Sequence, residues 1–425
     1  MRLSIKNLGK IFSADIEIDG ITVIAGENNT GKSTVGKTLF CIFNSFNNIS
    51  DRIKNEKFLS VSRALESAYI NYSSRLTASR FEEISDLAEL ILEKLATPEN
   101  KELYTQKDML DAIIRNSALL REHIEAIDME DTVDYILEIA NISDNEALLT
   151  ILFNRMQVDF GMQLNNIRYP DVSSEILLEI KDIDIQISIL DNGPIDLSGG
   201  ISLNTEAIYI DSPFAFDNLR VTPARPRSYR SHYLSHREHL RSCLTRDETL
   251  SSIDEITAAR KLGNVLEKIN SVCAGEIVKK SPRSFAYREG NSDVALDIVN
   301  MSTGLKTFAI IKTLLLNGSI EYNGTIILDE PEIHLHPEWQ LVFAELIVLL
   351  QKEFNMHILL TTHSPYFLEA IEVYSLKHDI VNKCKYYLSE NSGESANIMD
   401  VTNNLELIYA KLARPLQVLE NERYI

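Results

Sequence analysis

The chain has 425 residues, 44% of them hydrophobic and 24% charged, an ordinary globular composition that excludes a wholly disordered chain, a collagen-like repeat and a disulfide scaffold. It carries 42 Lys and Arg against 62 Asp and Glu, a net charge of -20. An acidic chain does not coat nucleic acid by bulk charge, so any such contact needs a local basic patch.

Residues 1–25 predict short strands. Ile5, Leu8 and Ile11, then Ile16 and Ile18, then Ile21 to Ala25 are β-rich runs broken by Gly9 and Gly20. A helix is predicted from Ser33, with Val35, Leu39, Ile42, Phe43 and Phe46 as its buried stripe. Phe12 is expected in the core, with stacking on adenine as the alternative. Residues 51–165 carry helical periodicity, almost no glycine and a surplus of acids, which predicts a helical insertion. Alternation returns at 173–190, with a hairpin turn at Lys181-Asp182. A loop is predicted around Asn192-Gly193-Pro194 and Gly199-Gly200, then a strand at 207–210. Residues 220–246 hold Arg220, Arg225, Arg227, Arg230, Arg237, Arg241 and Arg246 with several His and Tyr. Residues 248–272 read as helix. From 276 the chain alternates strand and helix again, with a hairpin near Lys385 to Leu388 and a helix over 403–413 at its end. The expected division is 1–50, 51–165, 166–215, 216–275 and 276–425.

Gly26-Glu27-Asn28-Asn29-Thr30-Gly31-Lys32-Ser33 fits GxxxxGK[ST] between a predicted strand and helix, the context that motif requires. Glycines let backbone N–H groups turn toward phosphate oxygens, and the helix start adds its positive dipole end. Lys32 places a charge at the β and γ phosphates, and Ser33 is a ligand for Mg²⁺. Thr325 to Glu330 is an apolar strand ending in two carboxylates. It assigns Asp329 to Mg²⁺ and Glu330 to the attacking water. Ser302, Gly304 and Lys306 open a helix and would form a second phosphate-binding start, an ordinary capped helix being the alternative. His363 follows the strand 357–361 and could bond a phosphate or the water, or be a satisfied structural histidine. The four cysteines, Cys41, Cys243, Cys273 and Cys384, show no CxxC or metal-ligand spacing and fit a reducing cytoplasm. No run approaches the roughly 18 apolar residues of a membrane span, and the N-terminus lacks a signal-type apolar core. The expected location is the cytoplasm, away from membranes.

In chain order, the P-loop, Ser302-x-Gly304-x-Lys306, Asp329-Glu330-Pro331-Glu332-Ile333-His334-Leu335-His336-Pro337 and Thr361-Thr362-His363-Ser364-Pro365 resemble the ABC-type ATPases. The similarity is to the soluble branch with RecF, SMC and OLD-family proteins, over residues 1–48 and 276–370. The implied fold class is α/β: an ABC-type P-loop ATPase head with a mixed sheet, an antiparallel β-subdomain and a helical insertion. The resemblance implies ATP and Mg²⁺ as cofactors and head-to-tail dimers, or higher homo-oligomers built from them, that sandwich two ATP molecules. Gly26, Asn28, Asn29, Thr30, Gly31, Lys32, Ser33 and Thr34 of one subunit would hold the phosphates. Ser302, Gly304 and Lys306 of the other would close over them. Glu330 would be the base, His363 the switch histidine, and His334 and His336 part of a D-loop, with an HxH metal site as the rival. The signature reads MSTGLK rather than LSGGQ, and no Q-loop glutamine can be placed.

OLD-type members carry a nuclease after the ATPase, for which the residues after His363 are too few. An effector, a nuclease or toxin, is therefore expected in trans, as in the ATPase subunits of anti-phage defence systems of the PARIS and Septu types. The alternatives are a RecF- or SMC-like DNA-repair or chromosome ATPase and a non-hydrolysing ATP-bound scaffold. For the segment Arg220 to Arg246, intrachain salt bridges, an acidic partner protein and nucleic acid phosphate are all open.

Overall fold

The computed structural model describes residues 1–72, 78–95, 116, 130–200, 202–218, 234–246, 262–281, 284–290 and 294–423. They form two compact units, one of residues 1–47 and 151–425, the other of residues 48–150.

The first unit is built on an eleven-stranded mixed sheet. Strands β1 (Arg2–Leu8) and β2 (Ile11–Glu17) form a hairpin across Gly9, whose φ of 56° suits glycine. Leu3 and Ile5 alternate toward the core on β1, as Ala14 and Ile16 do on β2, and Ile11 at the start of β2 is buried as well. Phe12 lies between Ile11 and Ser13, where the pairing of β2 with the strand Ser395–Asp400 shifts register, and stands 53% exposed, which corrects the expectation of a core role. Strand β3 (Ile21–Gly26) is buried at every residue, as a central parallel strand should be. Its neighbours are β12 (His357–Thr362) on one side and β13 (Cys384–Ser392) on the other, both parallel to it. Beyond β12 lie β11 (Thr325–Asp329) and β7 (Ala207–Ile210), also parallel.

The far side of the sheet is antiparallel. β4 (Ser174–Ile180) and β5 (Ile183–Leu190) pair across Lys181, whose φ is 55°. Residues Gly193–Ser198, expected as loop, instead form β6 on β5. Asp191 and Asn192 both take positive φ, the geometry of a two-residue hairpin turn, so the polar cluster reverses the chain rather than ending the sheet. β14 (Ser395–Asp400) pairs with β13 and lies parallel to β2, so the C-terminal hairpin completes the middle of the sheet. A second, three-stranded sheet holds β8 (Glu276–Ser281), β9 (Ser284–Arg288) and β10 (Leu296–Asp297).

Helix α1 (Lys32–Phe46) follows β3, and its stripe Val35, Leu39, Ile42, Phe43 and Phe46 is buried as predicted. The second unit contains α2 (Ile49–Tyr72), α3 (Ala78–Lys94) and α4 (Glu130–Asn141) around Val61, Leu65, Ile84, Leu87, Ile91, Val133, Ile136 and Ile139. Residues at three- and four-residue spacing on each helix supply this core. Next come α5 (Asp144–Phe160), α6 (His236–Leu244), α7 (Thr303–Leu316), α8 (Pro337–Phe354) and α9 (Pro365–Lys377). The last helix, α10, runs Glu406–Glu422, well past the expected 413.

Candidate nucleotide-binding site

The glycine-rich loop leaves the carboxyl end of β3 and turns into α1. Gly31 at the turn has φ 84°, and a Cβ there would lie 2.7 Å from Ile11 Cγ1. Gly26 is needed for a different reason: a Cβ would come 2.2 Å from the Ser389 carbonyl on β13. Thr30 Oγ1 donates to the Glu27 carbonyl at 2.9 Å, and Ser389 Oγ donates to the Thr30 carbonyl at 2.8 Å. The start of α1 has no side-chain cap, so its first N–H groups are left for a ligand or water. Asn28, Asn29 and Ser33 are exposed around it, and Thr34 is partly so. The Lys32 ammonium is buried and donates to the carbonyls of Gly26 at 3.1 Å and Glu27 at 2.8 Å.

Neighbouring strands deliver the acids. Asp329 ends β11 and accepts from Tyr209 Oη at 2.9 Å and Thr361 Oγ1 at 2.5 Å, one bond to each carboxylate oxygen. Burial and the Asp329 carboxylate push the Tyr209 phenol well above its usual range, so it stays a donor. Glu330 takes φ 49°, a left-handed conformation for a side chain other than glycine. Such strain, of order 1–3 kcal/mol, gathers at functional sites. Its backbone N–H is held by Thr361. Glu330 Oε1 lies 3.4 Å from Lys32 Nζ and 3.5 Å from His363 Nδ1. That imidazole nitrogen makes no hydrogen bond in the structure. Behind it Glu332 is buried, and its Oε1 accepts from Thr362 Oγ1 at 2.5 Å and the His363 N–H at 3.3 Å. Burial raises the Glu332 pKa, and Oε2 has no partner.

The structure therefore brings Lys32, Asp329, Glu330 and His363 together at the carboxyl ends of three adjacent parallel strands. Ser302 stands elsewhere, exposed, and caps α7 by accepting from Leu305 N at 3.4 Å. Gly304 lets the chain pass close to Trp339 and to the His334 carbonyl, which a Cβ would approach to 3.0 and 3.1 Å. Lys306, expected to offer its charge to phosphate, is turned inward. Its buried ammonium bonds Asp217 at 2.5 Å and lies 5.8 Å from the centre of the Phe214 ring. A cation already paired inside the fold holds the start of α7 in place rather than reaching a ligand. His334 packs edge-on to Phe214 and His336 precedes α8 without capping it. Phe12 lines a surface hollow with Arg168, Tyr169 and Asn397.

Of the basic segment, Arg220, Arg225, Arg227 and Arg230 lie outside the described residues. Arg237 is paired with Asp211 and Arg246 with Glu206. His236 is clamped, Nδ1 at 2.6 Å from Asp159 and Nε2 at 3.1 Å from Asp211, and its ring lies tilted by 31° against that of Tyr209, with centroids 4.6 Å apart. Burial alone would lower the His236 pKa, but the two carboxylates raise it. Burial likewise opposes ionisation of Asp211, yet His236 and Arg237 bring it down to about 2. Sequence reasoning passed over Tyr209, Thr361, Glu332 and Asp159. The first three sit in strands or turns whose motif positions were noticed only for their neighbours. Asp159 carried no local signal.

A family model described as "AAA domain, putative AbiEii toxin, Type IV TA system" matches residues 134–369, more than half of the chain. The chain belongs to this AAA-domain family. The P-loop of this AAA-domain protein lies outside the matched span. Among relatives, "Retron Vc95 probable ATPase" of Vibrio cholerae serotype O1 biovar El Tor is 31% identical over 102 residues, 21% of this chain and 19% of that protein. "Retron Ec83 probable ATPase" of Escherichia coli is 32% identical over 92 residues, 19% of this chain and 16% of the relative. "Septu protein PtuA" of Bacillus thuringiensis is 39% identical over 57 residues, 13% of this chain and 14% of the relative. The chain thus spans less than a fifth of the length of these curated relatives. Among solved structures, the SMC head domain from Thermotoga maritima aligns over 94% of this chain and 98% of its own, with 12% identity and a TM-score of 0.38. An SMC head bound to the C-winged helix domain of ScpA aligns over 96% and 98%, with 11% identity and a TM-score of 0.43. No helix among the described residues is long and apolar enough to cross a membrane.

Proposed function

We propose that this AAA-domain protein binds and hydrolyses ATP and uses that cycle as a switch. The observation that carries the proposal is Glu330 Oε1 poised between Lys32 and His363, at 3.4 and 3.5 Å. The residues fit a nucleoside triphosphate: α1 has an uncapped start, Gly26 and Gly31 leave no room for a side chain, and Lys32 sits at the loop. Lys32 and the N–H groups from Gly31 to Thr34 would hold phosphates, with Asn28, Asn29 and Thr30 shaping the loop. Ser33 and Asp329 would hold Mg²⁺, which supplies charge neutralisation when bound. Glu330 would orient water and take its proton, while the unbonded Nδ1 of His363, 3.5 Å from Glu330, would bond the γ-phosphate or that water as the switch histidine.

The exposed Ser302 at the start of α7 supports a dimer in which that helix start meets the loop of a second copy. Partial similarity to two retron probable ATPases and to Septu protein PtuA supports a role in anti-phage defence, with a partner effector in trans. Glu330→Gln should lower ATP turnover by about 10²- to 10⁴-fold, the usual worth of a general base, while nucleotide binding persists. Lys32→Ala should abolish binding. Steady-state phosphate release and nucleotide titration measure both, and a Glu330→Gln protein with unchanged turnover would remove Glu330 as the base.

A further inference from the structure

A second cluster of chemistry-bearing side chains lies away from the glycine-rich loop. His239 and Cys243 are both buried and stand four residues apart on α6, so their side chains share one face of the helix. Glu206, just before β7, meets them there. Its Oε2 lies 2.7 Å from His239 Nε2, and its Oε1 lies 4.0 Å from Cys243 Sγ, which in turn is 3.9 Å from His239 Nε2. Among the described residues this is the one group of three His, Cys, Asp or Glu side chains whose ligand atoms lie close enough to hold a metal ion.

We propose that Glu206, His239 and Cys243 form a site for a divalent transition metal of the zinc class. Three facts of chemistry carry the assignment. First, the donor set is one imidazole, one thiol and one carboxylate, all accepted zinc ligands. Second, bond lengths of roughly 2.0–2.3 Å at tetrahedral angles place ligand atoms about 3.3–3.6 Å apart. Glu206 Oε2 lies 2.7 Å from His239 Nε2, while Cys243 Sγ lies 3.9 Å from that nitrogen and 4.0 Å from the other carboxylate oxygen, Oε1; one ligand atom from each residue falls within 4.8 Å of the other two, so side-chain shifts of under about an ångström close the triangle. Third, the surroundings resemble the outer shell of a metal centre. Arg246 pairs with Glu206 Oε1 and leaves Oε2 as the donor, and ligating carboxylates are commonly anchored in this way. Asn317 donates to the Cys243 carbonyl at 2.8 Å and fixes the end of α6.

Thiolate and carboxylate together would neutralise a divalent ion. On binding, the Cys243 proton leaves to solvent as the metal–sulfur bond forms, with no change of oxidation state. Three protein ligands leave a fourth position for water. The metal would join α6, which ends the basic segment, to the approach of β7, the strand that carries Tyr209.

The test uses the full chain, purified without chelators. Metal content by mass spectrometry should show zinc at about one per chain, falling at least tenfold in Cys243→Ser and His239→Gln, each checked for a native circular dichroism spectrum. Titration of the metal-stripped wild type with Co²⁺ should give a thiolate-to-cobalt charge-transfer absorption; this second readout needs no variant. Absence of that band together with metal-free protein would overturn the proposal. Metal retained equally in both variants would overturn it too, because the ion would then sit elsewhere.

Discussion

At the scale of single residues, the proposed nucleotide site rests on partners that hold the acids rather than on the acids alone. Asp329 has one carboxylate oxygen bonded to Tyr209 and the other to Thr361, which fixes the plane of the group that we assign to Mg²⁺. Tyr209→Phe removes one of these bonds and leaves the buried ring in place. The expected result is a Mg²⁺ requirement for ATP turnover raised about tenfold, the scale of an orienting partner, with stability lowered by about 1 kcal/mol. A Mg²⁺ titration measures the first and urea unfolding the second; an unmoved Mg²⁺ midpoint would deny Tyr209 that role. The P-loop and the Asp329-Glu330 pair were legible because they are local words in the chain. Tyr209 was not, because its contact with Asp329 joins residues 120 positions apart. Lys306 shows the opposite failure: a lysine at a helix start suggests phosphate, and only the fold reveals Asp217 waiting for it.

At the scale of elements, α6 is fastened to the sheet by charge. His236 is held by Asp159 from α5 and by Asp211 after β7, while Arg237 shares Asp211. The pKa of Asp211 is lowered to about 2, so its contribution is present above pH ~4 and is lost as pH falls through about 2. The pKa of His236 is raised, so its contribution is full below pH ~6.5 and is lost as pH rises through the folded value. The clamp is therefore strongest between the two. Urea unfolding of wild type and His236→Gln across pH should show the largest gap, about 2 kcal/mol, near pH 4–6.5, narrowing on both sides. A gap independent of pH would mean that packing against Tyr209, not charge, is what His236 supplies. Helices and hairpins were readable from period and turn residues, down to the turn at Lys181. The pairing of β13 with β3 was not, since parallel strands far apart in sequence leave no local mark.

For the whole molecule, a net charge of -20 acts on any self-association. Two such chains repel at long range, and salt shortens that repulsion, to a Debye length of roughly 3 Å at 1 M against 30 Å at 0.01 M. The nucleotide-dependent dimer we propose should therefore tighten as ionic strength rises. Light scattering of the Glu330→Gln protein with ATP at low and high salt measures this. A dimer that dissolves in salt would instead point to opposite charges meeting across the interface. The change from strand period to helical period near residue 50 lies close to residue 48, where the second unit begins. Where the β-rich and C-terminal segments join one sheet was not visible in the sequence, because sheet order depends on contacts that no single segment encodes.

The bond from Ser389 to Thr30 joins residues 359 positions apart. During synthesis, the opening fifty residues leave the ribosome long before the strand that braces them exists. A chain made only as far as the loop would thus own the motif without the grip.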